Sequence, residues 1–265
     1  MKIWEAIVLA IIEGLTEFLP VSSTGHLILG ASVLGLDPAN AFLKLFTIAI
    51  QFGAILSVVV LYLKRFFQSI SFYIKLVVAF IPAAVFGVLF SHKIDALLES
   101  PMGVAIALLI GGFILLGVDK WFAQSTATST EEISYIQALK IGLFQCLAMI
   151  PGTSRSAASI VGGMSQGLSR SLAAEFSFFL AVPTLLGATV KKLYDFYKDG
   201  YQLSPEEWKL LAIGNVVAFI VAILAIKFFI SFLQKHGFRL FGWYRIVIGA
   251  IIIALLLGGY SLQVV

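Results

Sequence analysis

Carboxylates, a hydroxyl group and an imidazole lie close together near the start of the sequence. Glu13 and Glu17 are one helical turn apart, so a helix would point both carboxylates to the same side. His26 follows Ser23 by about one turn, which puts an imidazole within reach of a hydroxyl. Such a set can supply a nucleophile and a general base, and paired carboxylates can hold Mg²⁺ against a phosphate. Alternatively, one of the glutamates orients His26.

A basic cluster lies in the other half of the chain. Pro151 precedes Thr153 and Ser154, and Arg155 and Ser156 follow directly. Serine and threonine after a proline are ordinary helix N-caps. A helix N-terminus also attracts anions, however, and the planar fork of an arginine matches phosphate oxygens. The cluster therefore indicates a phosphate site.

The first half has a similar arrangement, because Pro20 precedes Ser22, Ser23 and Thr24. We pair Pro20 with Pro151 and interpret the chain as duplicated. The predicted parts are a first repeat over 1–121, a polar linker over 122–136 and a second repeat over 137–265.

The composition excludes a soluble domain. Of 265 residues, 60% are hydrophobic and 12% are charged, whereas soluble domains carry about 25% charged residues. The single cysteine excludes a disulfide framework and a cysteine-based metal cluster. The net charge of +4, without basic runs, argues against a nucleic-acid partner. The chain is predicted to be an all-α integral membrane protein.

Six apolar segments are long enough to cross a bilayer, which takes roughly 20 helical residues. They span about 42–63, 72–90, 102–118, 172–190, 210–233 and 244–262. Four shorter segments flank the two prolines, over 4–18, 24–36, 138–150 and 155–168.

Each short pair is interpreted as a re-entrant helical hairpin. Every repeat then crosses the membrane three times, and this odd number inverts the second repeat relative to the first. If each pair is instead one broken crossing helix, the halves run parallel; we favour hairpins. The positive-inside rule predicts both termini outside. The inner loops then hold Lys64, Arg65, Lys120, Lys140, Arg170, Lys235 and Arg239, and the outer side holds 92–99 and 191–209.

Charged residues at membrane depth are costly and are usually functional. Arg155, Glu13 and Glu17 face this cost if the hairpins are deep. One explanation is that they pair and hold the hairpins together. Together with Ser23 and His26, they instead indicate phosphoryl chemistry on a lipid.

The two motifs resemble those of the bacterial undecaprenyl-diphosphate phosphatases of the bacitracin-resistance BacA type. The first runs Glu13-Gly-Leu-Thr-Glu17-Phe-Leu-Pro-Val-Ser-Ser-Thr-Gly-His26, and the second runs Pro151-Gly-Thr-Ser-Arg-Ser156. The stretches 51–54 (Gln-Phe-Gly-Ala) and 175–183 also match, so the resemblance covers essentially the whole chain. Ala157 stands where the family often has glycine, which affects no catalytic residue.

The resemblance implies hydrolysis of undecaprenyl diphosphate to undecaprenyl phosphate and phosphate, aided by Mg²⁺ or Ca²⁺. This reaction recycles the carrier lipid for peptidoglycan synthesis and gives bacitracin resistance. The implied place is the bacterial plasma (inner) membrane, as a multi-pass protein with its site open to the periplasm. The implied catalytic residues are Glu17, Ser23, His26 and Arg155. The expected substrate-binding residues are Ser22, Thr24, Gln51, Thr153, Ser154 and Ser156, and the metal ligands are Glu13 and Glu17.

Several alternatives stay open at this stage. Ser23 attacks the phosphorus with His26 as its base, His26 attacks, or His26 activates water. An inverted-repeat transporter or lipid flippase is the other function class that the pattern allows. The partners are a polyprenyl diphosphate and the membrane, and a homo-oligomer is left open.

Overall fold

The computed structural model describes residues 1–64, 70–90, 100–124, 127–260 and 262. Within these ranges the chain forms ten α-helices and no β-strand, as predicted for an all-α protein. They are α1 Ile3–Thr16, α2 Ser23–Val33, α3 Ala41–Leu61, α4 Ile70–Leu89, α5 Pro101–Trp121, α6 Tyr135–Gln145, α7 Arg155–Ser165, α8 Arg170–Lys198, α9 Pro205–His236 and α10 Arg239–Leu257. Arg65, segment 92–99, linker residues 125–126 and the end of the second repeat at 263–265 lie outside the described residues.

Six of these helices are long and apolar enough to span a membrane, and they confirm the six predicted segments. They are α3, α4, α5, α8, α9 and α10. Helices α8 and α9 have 29 and 32 residues, longer than the roughly 20 that a bilayer core requires. The early start of α9 is explained by Ser204, whose side chain forms a capping box with Glu207.

The four short predicted segments form two helix–turn–helix units, α1–α2 and α6–α7. The turn between α1 and α2 is called the first turn, and the turn between α6 and α7 is called the second turn. The first residues of α1 and α6, Ile3 and Tyr135, lie 132 positions apart, as do Ser23 and Arg155 at the starts of α2 and α7. Each second helix is capped by a serine with a positive φ, 70° at Ser22 and 72° at Ser154. Across the described chain, these are the only non-glycine residues with a positive φ.

This spacing corrects the pairing of the two prolines. Because Ser22 corresponds to Ser154, Pro20 corresponds to Gly152 and not to Pro151. Gly152 has φ 90°, whereas the ring of a proline fixes φ near −65°. A Cβ at Gly152 would also collide with the carbonyl oxygen of Val104. The second turn therefore cannot place its proline where the first turn has one.

The first short helix of each unit packs mainly on a long helix from the other half of the chain, whereas α2 and α7 pack on helices of their own half. Helix α1 lies against α9, α6 lies against α4, and α5 packs along α10. The largest core cluster fills the space between them with phenylalanines, and its fully buried rings include Phe18, Phe176, Phe178, Phe179 and Phe229. The two turns are thereby held inside the helix assembly.

The predicted linker is anchored to both halves. The buried Lys75 of α4 donates from Nζ to the carbonyl oxygens of Thr130 and Glu131, at 3.0 and 3.2 Å. Ala127 pairs with Leu168 in an isolated parallel bridge. Helix α6 begins at Tyr135, two residues before the predicted start of the second repeat.

Candidate active site

A chain of polar contacts crosses from the second turn to the first. Arg155 donates from Nη2 and Nε to Glu17 Oε1, at 3.2 and 3.4 Å, and this ion pair is almost fully buried. The other oxygen of Glu17, Oε2, accepts a hydrogen bond of 2.8 Å from Ser23 Oγ. Glu17 caps the C-terminus of α1, while Ser23 and Arg155 open α2 and α7. One carboxylate therefore joins a potential nucleophile to a buried cation.

Arg155 is fixed on its remaining sides by α8 and by the first turn. Its Nη1 donates to the carbonyl oxygen of Ser177 at 2.9 Å, and Cζ lies 5.6 Å from the centre of the Phe18 ring. Ser177 is itself held by a 2.6 Å hydrogen bond with Ser159. These contacts fix the position of the guanidinium.

His26 does not face Ser23 as the sequence suggested. Its Nδ1 lies 2.8 Å from the carbonyl oxygen of Ser22, which can only accept, so Nδ1 carries the proton. Its Nε2 is 2.8 Å from the hydroxyl of Tyr244, and the two rings stack with centroids 5.5 Å apart. Since both nitrogens have these partners, neither glutamate orients the imidazole.

Glu13 is the least satisfied polar side chain at the site. It is fully buried, and both carboxylate oxygens lack a hydrogen-bond partner among the described residues. Glu17 follows it by one turn on α1. A buried carboxylate without a partner is costly, so this arrangement suits either a bound proton or a cation.

The N-termini of α2 and α7 complete the site. Ser22 and Ser154 accept hydrogen bonds from backbone N–H groups in the first turns of their helices, at 3.4 and 3.3 Å. Ser156 Oγ donates to the carbonyl oxygen of Leu19 at 2.7 Å and so ties α7 to the first turn. Two helix N-termini on one site favour an anionic ligand.

The structure brings most of the predicted residues together, but the side chains of Thr24, Thr153 and Gln51 make none of the contacts described above. Thr24 is half-buried in the first helical turn of α2, and Thr153 is half-buried directly before the cap of α7. Gln51 is half-buried on α3, and the contacts described above do not reach it. The roles assigned to these three residues stay predictions.

Sequence reasoning missed Ser177, Tyr244 and Arg245. Arg245 is fully buried and lies between the two turns. A signal for it was present, since an arginine inside an apolar span usually has a function. The predicted span 244–262 placed this residue at the membrane edge and so hid the signal. Ser177 lies in the stretch 175–183 that matched the family, but as a short hydroxyl side chain it gave no separate signal.

Comparison with known proteins identifies the relatives of this chain. The sequence model of the family described as "Bacitracin resistance protein BacA" matches residues 6–251. A protein named undecaprenyl-diphosphatase from Flavobacterium johnsoniae is 67% identical over 254 residues, covering 96% of each chain. One of the same name from Porphyromonas gingivalis is 52% identical and covers 100% of both. Undecaprenyl-diphosphatase 1 from Clostridioides difficile is 44% identical over 96% of each.

Proposed function

The chain belongs to the bacitracin resistance protein BacA family, and we propose on that premise that it hydrolyses undecaprenyl diphosphate to undecaprenyl phosphate and inorganic phosphate. The observation that carries the proposal is the buried Arg155–Glu17–Ser23 chain at two helix N-termini. A transporter needs an anion site of this kind, but it does not need a nucleophile beside it. Recycling of the carrier lipid for peptidoglycan synthesis, and bacitracin resistance with it, follow from this activity.

We propose that the terminal phosphoryl group binds between α2 and α7. Arg155 turns its Nε and Nη2 from Glu17 to the phosphoryl oxygens, while its bond to Ser177 holds the guanidinium in place. The backbone N–H groups at both helix starts add partial positive charge. Removing a donor of this kind from a site shielded from water costs about 3–4 kcal/mol of transition-state stabilisation.

Ser23 is the proposed nucleophile, with Glu17 rather than His26 as the base. Ser23 Oγ attacks the terminal phosphorus, and its proton passes to Glu17, which already accepts its hydrogen bond. The bond from phosphorus to the bridging oxygen breaks, and undecaprenyl phosphate departs with that proton. Glu17 then deprotonates a water molecule that attacks the phosphoserine, which releases phosphate and restores the Ser23 hydroxyl.

The rival mechanism makes His26 the attacking group or the base for water. His26 Nε2 carries the lone pair, because Nδ1 donates to Ser22. That lone pair accepts from Tyr244, so Tyr244 would have to move away first. We therefore assign His26 no attack and no proton transfer; it supports the turn between α1 and α2 through its hydrogen bond to the carbonyl oxygen of Ser22.

A divalent cation, Mg²⁺ or Ca²⁺, is proposed as the cofactor. The carboxylate of Glu13, which lacks a hydrogen-bond partner among the described residues, fits such an ion, with Glu17 as a second ligand. The described residues contain no group of three or more His, Cys, Asp or Glu that could hold a metal alone. This suits Mg²⁺, which is commonly bound by one or two carboxylates with substrate phosphates and water. When bound, the ion would neutralise charge on the diphosphate.

The membrane arrangement is proposed from the two helix–turn–helix units. As re-entrant hairpins over 1–36 and 135–168, they enter from opposite sides, and three spans follow each. The repeats 1–121 and 137–265 are then inverted about the linker, with both termini and the site on the periplasmic side of the inner membrane. The exchange of packing partners, α1 with α9 and α6 with α4, supports two related halves.

Cysteine labelling in intact cells tests this topology. In a Cys146→Ser background, a cysteine at the exposed linker residue Thr128 should resist a membrane-impermeant thiol reagent until the cells are opened. A cysteine at the exposed Trp4 in α1 serves as a comparison near the outer face. Labelling of position 128 in intact cells would reject the inverted arrangement.

Phosphate release in detergent tests the function against a flippase. A detergent micelle has no second compartment, so transport alone gives no product. We expect purified protein to release one phosphate from each undecaprenyl diphosphate and to leave undecaprenyl phosphate. If no phosphate is released in detergent but the protein transports the lipid across vesicle membranes, the flippase is favoured.

A further inference from the structure

The guanidinium of Arg245 lies between the two turns with all its donors in use. Nη1 donates to the carbonyl oxygens of Pro20 and Thr153, at 3.2 and 2.9 Å. Nη2 donates to those of Gly152 and Ala107, at 2.9 and 3.2 Å, and Nε donates to that of Leu108 at 3.3 Å. A guanidinium has five N–H groups, which matches these five bonds.

Such a charge needs a reason to be buried. The side chain of Arg245 is fully buried, and its hydrogen-bond partners among the described residues are all main-chain carbonyls. A buried cation is costly without a counter-ion, and an apolar side chain could fill the same space at no such cost. The benefit must therefore come from the segments that the five bonds hold.

Those segments are the two turns and α5, and the bonds treat the turns alike. Pro20 and Gly152 each lie two positions before the serine that caps the following helix. Nη1 and Nη2 of one guanidinium therefore bind corresponding carbonyls of the two turns. A planar fork can fix the separation of two such carbonyls, which a flexible ammonium cannot do.

The turns need this support because their caps are strained. Ser22 and Ser154 hold φ near 70°, a region that residues other than glycine rarely occupy. Such conformations persist only where the surroundings enforce them. The next residue in each turn is Ser23 or Arg155, so the strained caps set where these two side chains point.

We propose that Arg245 is a positioning residue that locks the two turns in register, so that Ser23 and Arg155 face one phosphoryl group. This inference rests on the proposed function. Arg245 does not contact the phosphoryl group; it acts on the chemistry through the carbonyls of Pro20, Gly152 and Thr153.

Helix α5 is shaped to accept the guanidinium. A Cβ at Gly111 would collide with Nη2 and would lie 2.7 Å from Cζ of Arg245. Gly111 lies one turn after Ala107 and Leu108, whose carbonyls accept from Arg245. Gly111→Ala is therefore a way to displace the guanidinium without changing either turn.

The first test compares Arg245→Lys with Arg239→Lys, an exposed arginine at the start of the same helix. Lysine keeps the charge but loses the fork. Since a misplacement of about 1 Å can cost about 100-fold, we expect kcat of Arg245→Lys to fall by about that factor, with KM changed less than about threefold. Arg239→Lys should match the wild type. Equal kcat in both variants would overturn the proposal.

The second test uses Gly111→Ala alone and combined with Arg245→Met. If the alanine acts through the guanidinium, it should lower kcat by at least about tenfold in the wild type and have little further effect in Arg245→Met. An equal further loss in both backgrounds would show that Gly111 acts through helix packing and would contradict the proposal.

A third measurement does not depend on turnover, so it separates this inference from the proposed function. Spin labels on Val33→Cys and Ser165→Cys, the last residues of α2 and α7, report the distance between the two units in a Cys146→Ser background. We expect a narrow distance distribution that broadens in Arg245→Lys. An unchanged distance distribution would overturn the proposed role of Arg245, even if phosphate release fails for other reasons.

Discussion

The two turns share a backbone but differ in almost every chemical group. The first unit carries Glu13, Glu17, Ser23 and His26, and the second has Gln145, Met149, Arg155 and Ala158 at the corresponding positions. Both present a helix N-terminus capped by a serine of positive φ. The acids, the hydroxyl and the imidazole thus belong to one half, and the cation belongs to the other. Neither half alone forms the site.

One pair of corresponding residues shows how the two units differ in charge. Both oxygens of Glu13 and the amide oxygen of Gln145 are buried without a hydrogen-bond partner among the described residues. Gln145 instead donates from Nε2 to the hydroxyl of Thr184, at 3.1 Å. A neutral amide tolerates this place, whereas a carboxylate there requires a proton or a cation. A buried carboxyl group without a hydrogen-bond partner is therefore found at this position in the first unit alone.

Among the changes that test the difference between the two units, the largest expected effect comes from removing the guanidinium that the second unit contributes. Arg155→Lys keeps a positive charge but cannot bind two phosphoryl oxygens in a plane. We expect kcat/KM for phosphate release to fall by about 10³-fold. Arg170→Lys, which alters a partly exposed ion pair with Asp119, is the matched control and should stay near wild type. An Arg155→Lys variant within about tenfold of wild type would assign the second unit a structural role only.

Glu13→Gln makes the first unit resemble the second at this position. If Glu13 holds a cation, activity should fall by about 10- to 100-fold, and the metal concentration for half-maximal rate should rise. Glu5→Gln is the control, because Glu5 lies on the same helix and binds the backbone N–H of Lys2. Full wild-type activity in excess chelator would show that the reaction needs no divalent cation.

Tyr244→Phe tests the contact that exists only on the first unit. The ring stack on His26 is kept, and the 2.8 Å hydrogen bond is lost. We expect about a tenfold fall in kcat, since an unbonded imidazole turns more freely about its bond to Ser22. Trp243→Phe, at the exposed neighbouring position, should have little effect. Equal rates for both variants would leave Tyr244 without a role in orienting His26.

The smallest effect tests what the two units share. Alanine at Ser22 or Ser154 loses the cap and keeps the strained φ, so each change should cost about 1–2 kcal/mol of stability. Glycine loses the cap but relieves the strain and should cost only a few tenths of a kcal/mol. Thermal melting in detergent should give the same order at both sites. Alanine tolerated better than glycine would show that the positive φ is not required.

The sequence predicted the elements of this fold well because membrane spans follow from length and apolarity. All six spans lie near their predicted places, and only their ends differ, as at α8 and α9. The pairing of the turns failed by one position because proline looked like the marker of the repeat. The corresponding positions are instead identified by the positive φ of Ser22 and Ser154, and a backbone angle cannot be read from the amino-acid sequence.

The site was predicted in its members more than in its contacts. Glu17, Ser23 and Arg155 do meet, but helical spacing suggested that His26 would face Ser23. The imidazole turns instead to Tyr244, which lies 218 residues away in the chain. Local periodicity cannot foresee a partner of that kind, and the same holds for Arg245 and the two turns that it joins.

Phosphate release by Ser23→Ala, beside His26→Ala, tests the central claim most directly. Both proteins are purified in detergent, checked for folding by thermal melting and assayed with undecaprenyl diphosphate. Loss of a nucleophile that acts as a unit with its base should lower kcat by about 10⁴-fold or more in Ser23→Ala. His26→Ala should fall less, because Glu17 still takes the proton of Ser23. If Ser23→Ala instead keeps a tenth or more of wild-type activity while His26→Ala is inactive, the serine mechanism is wrong.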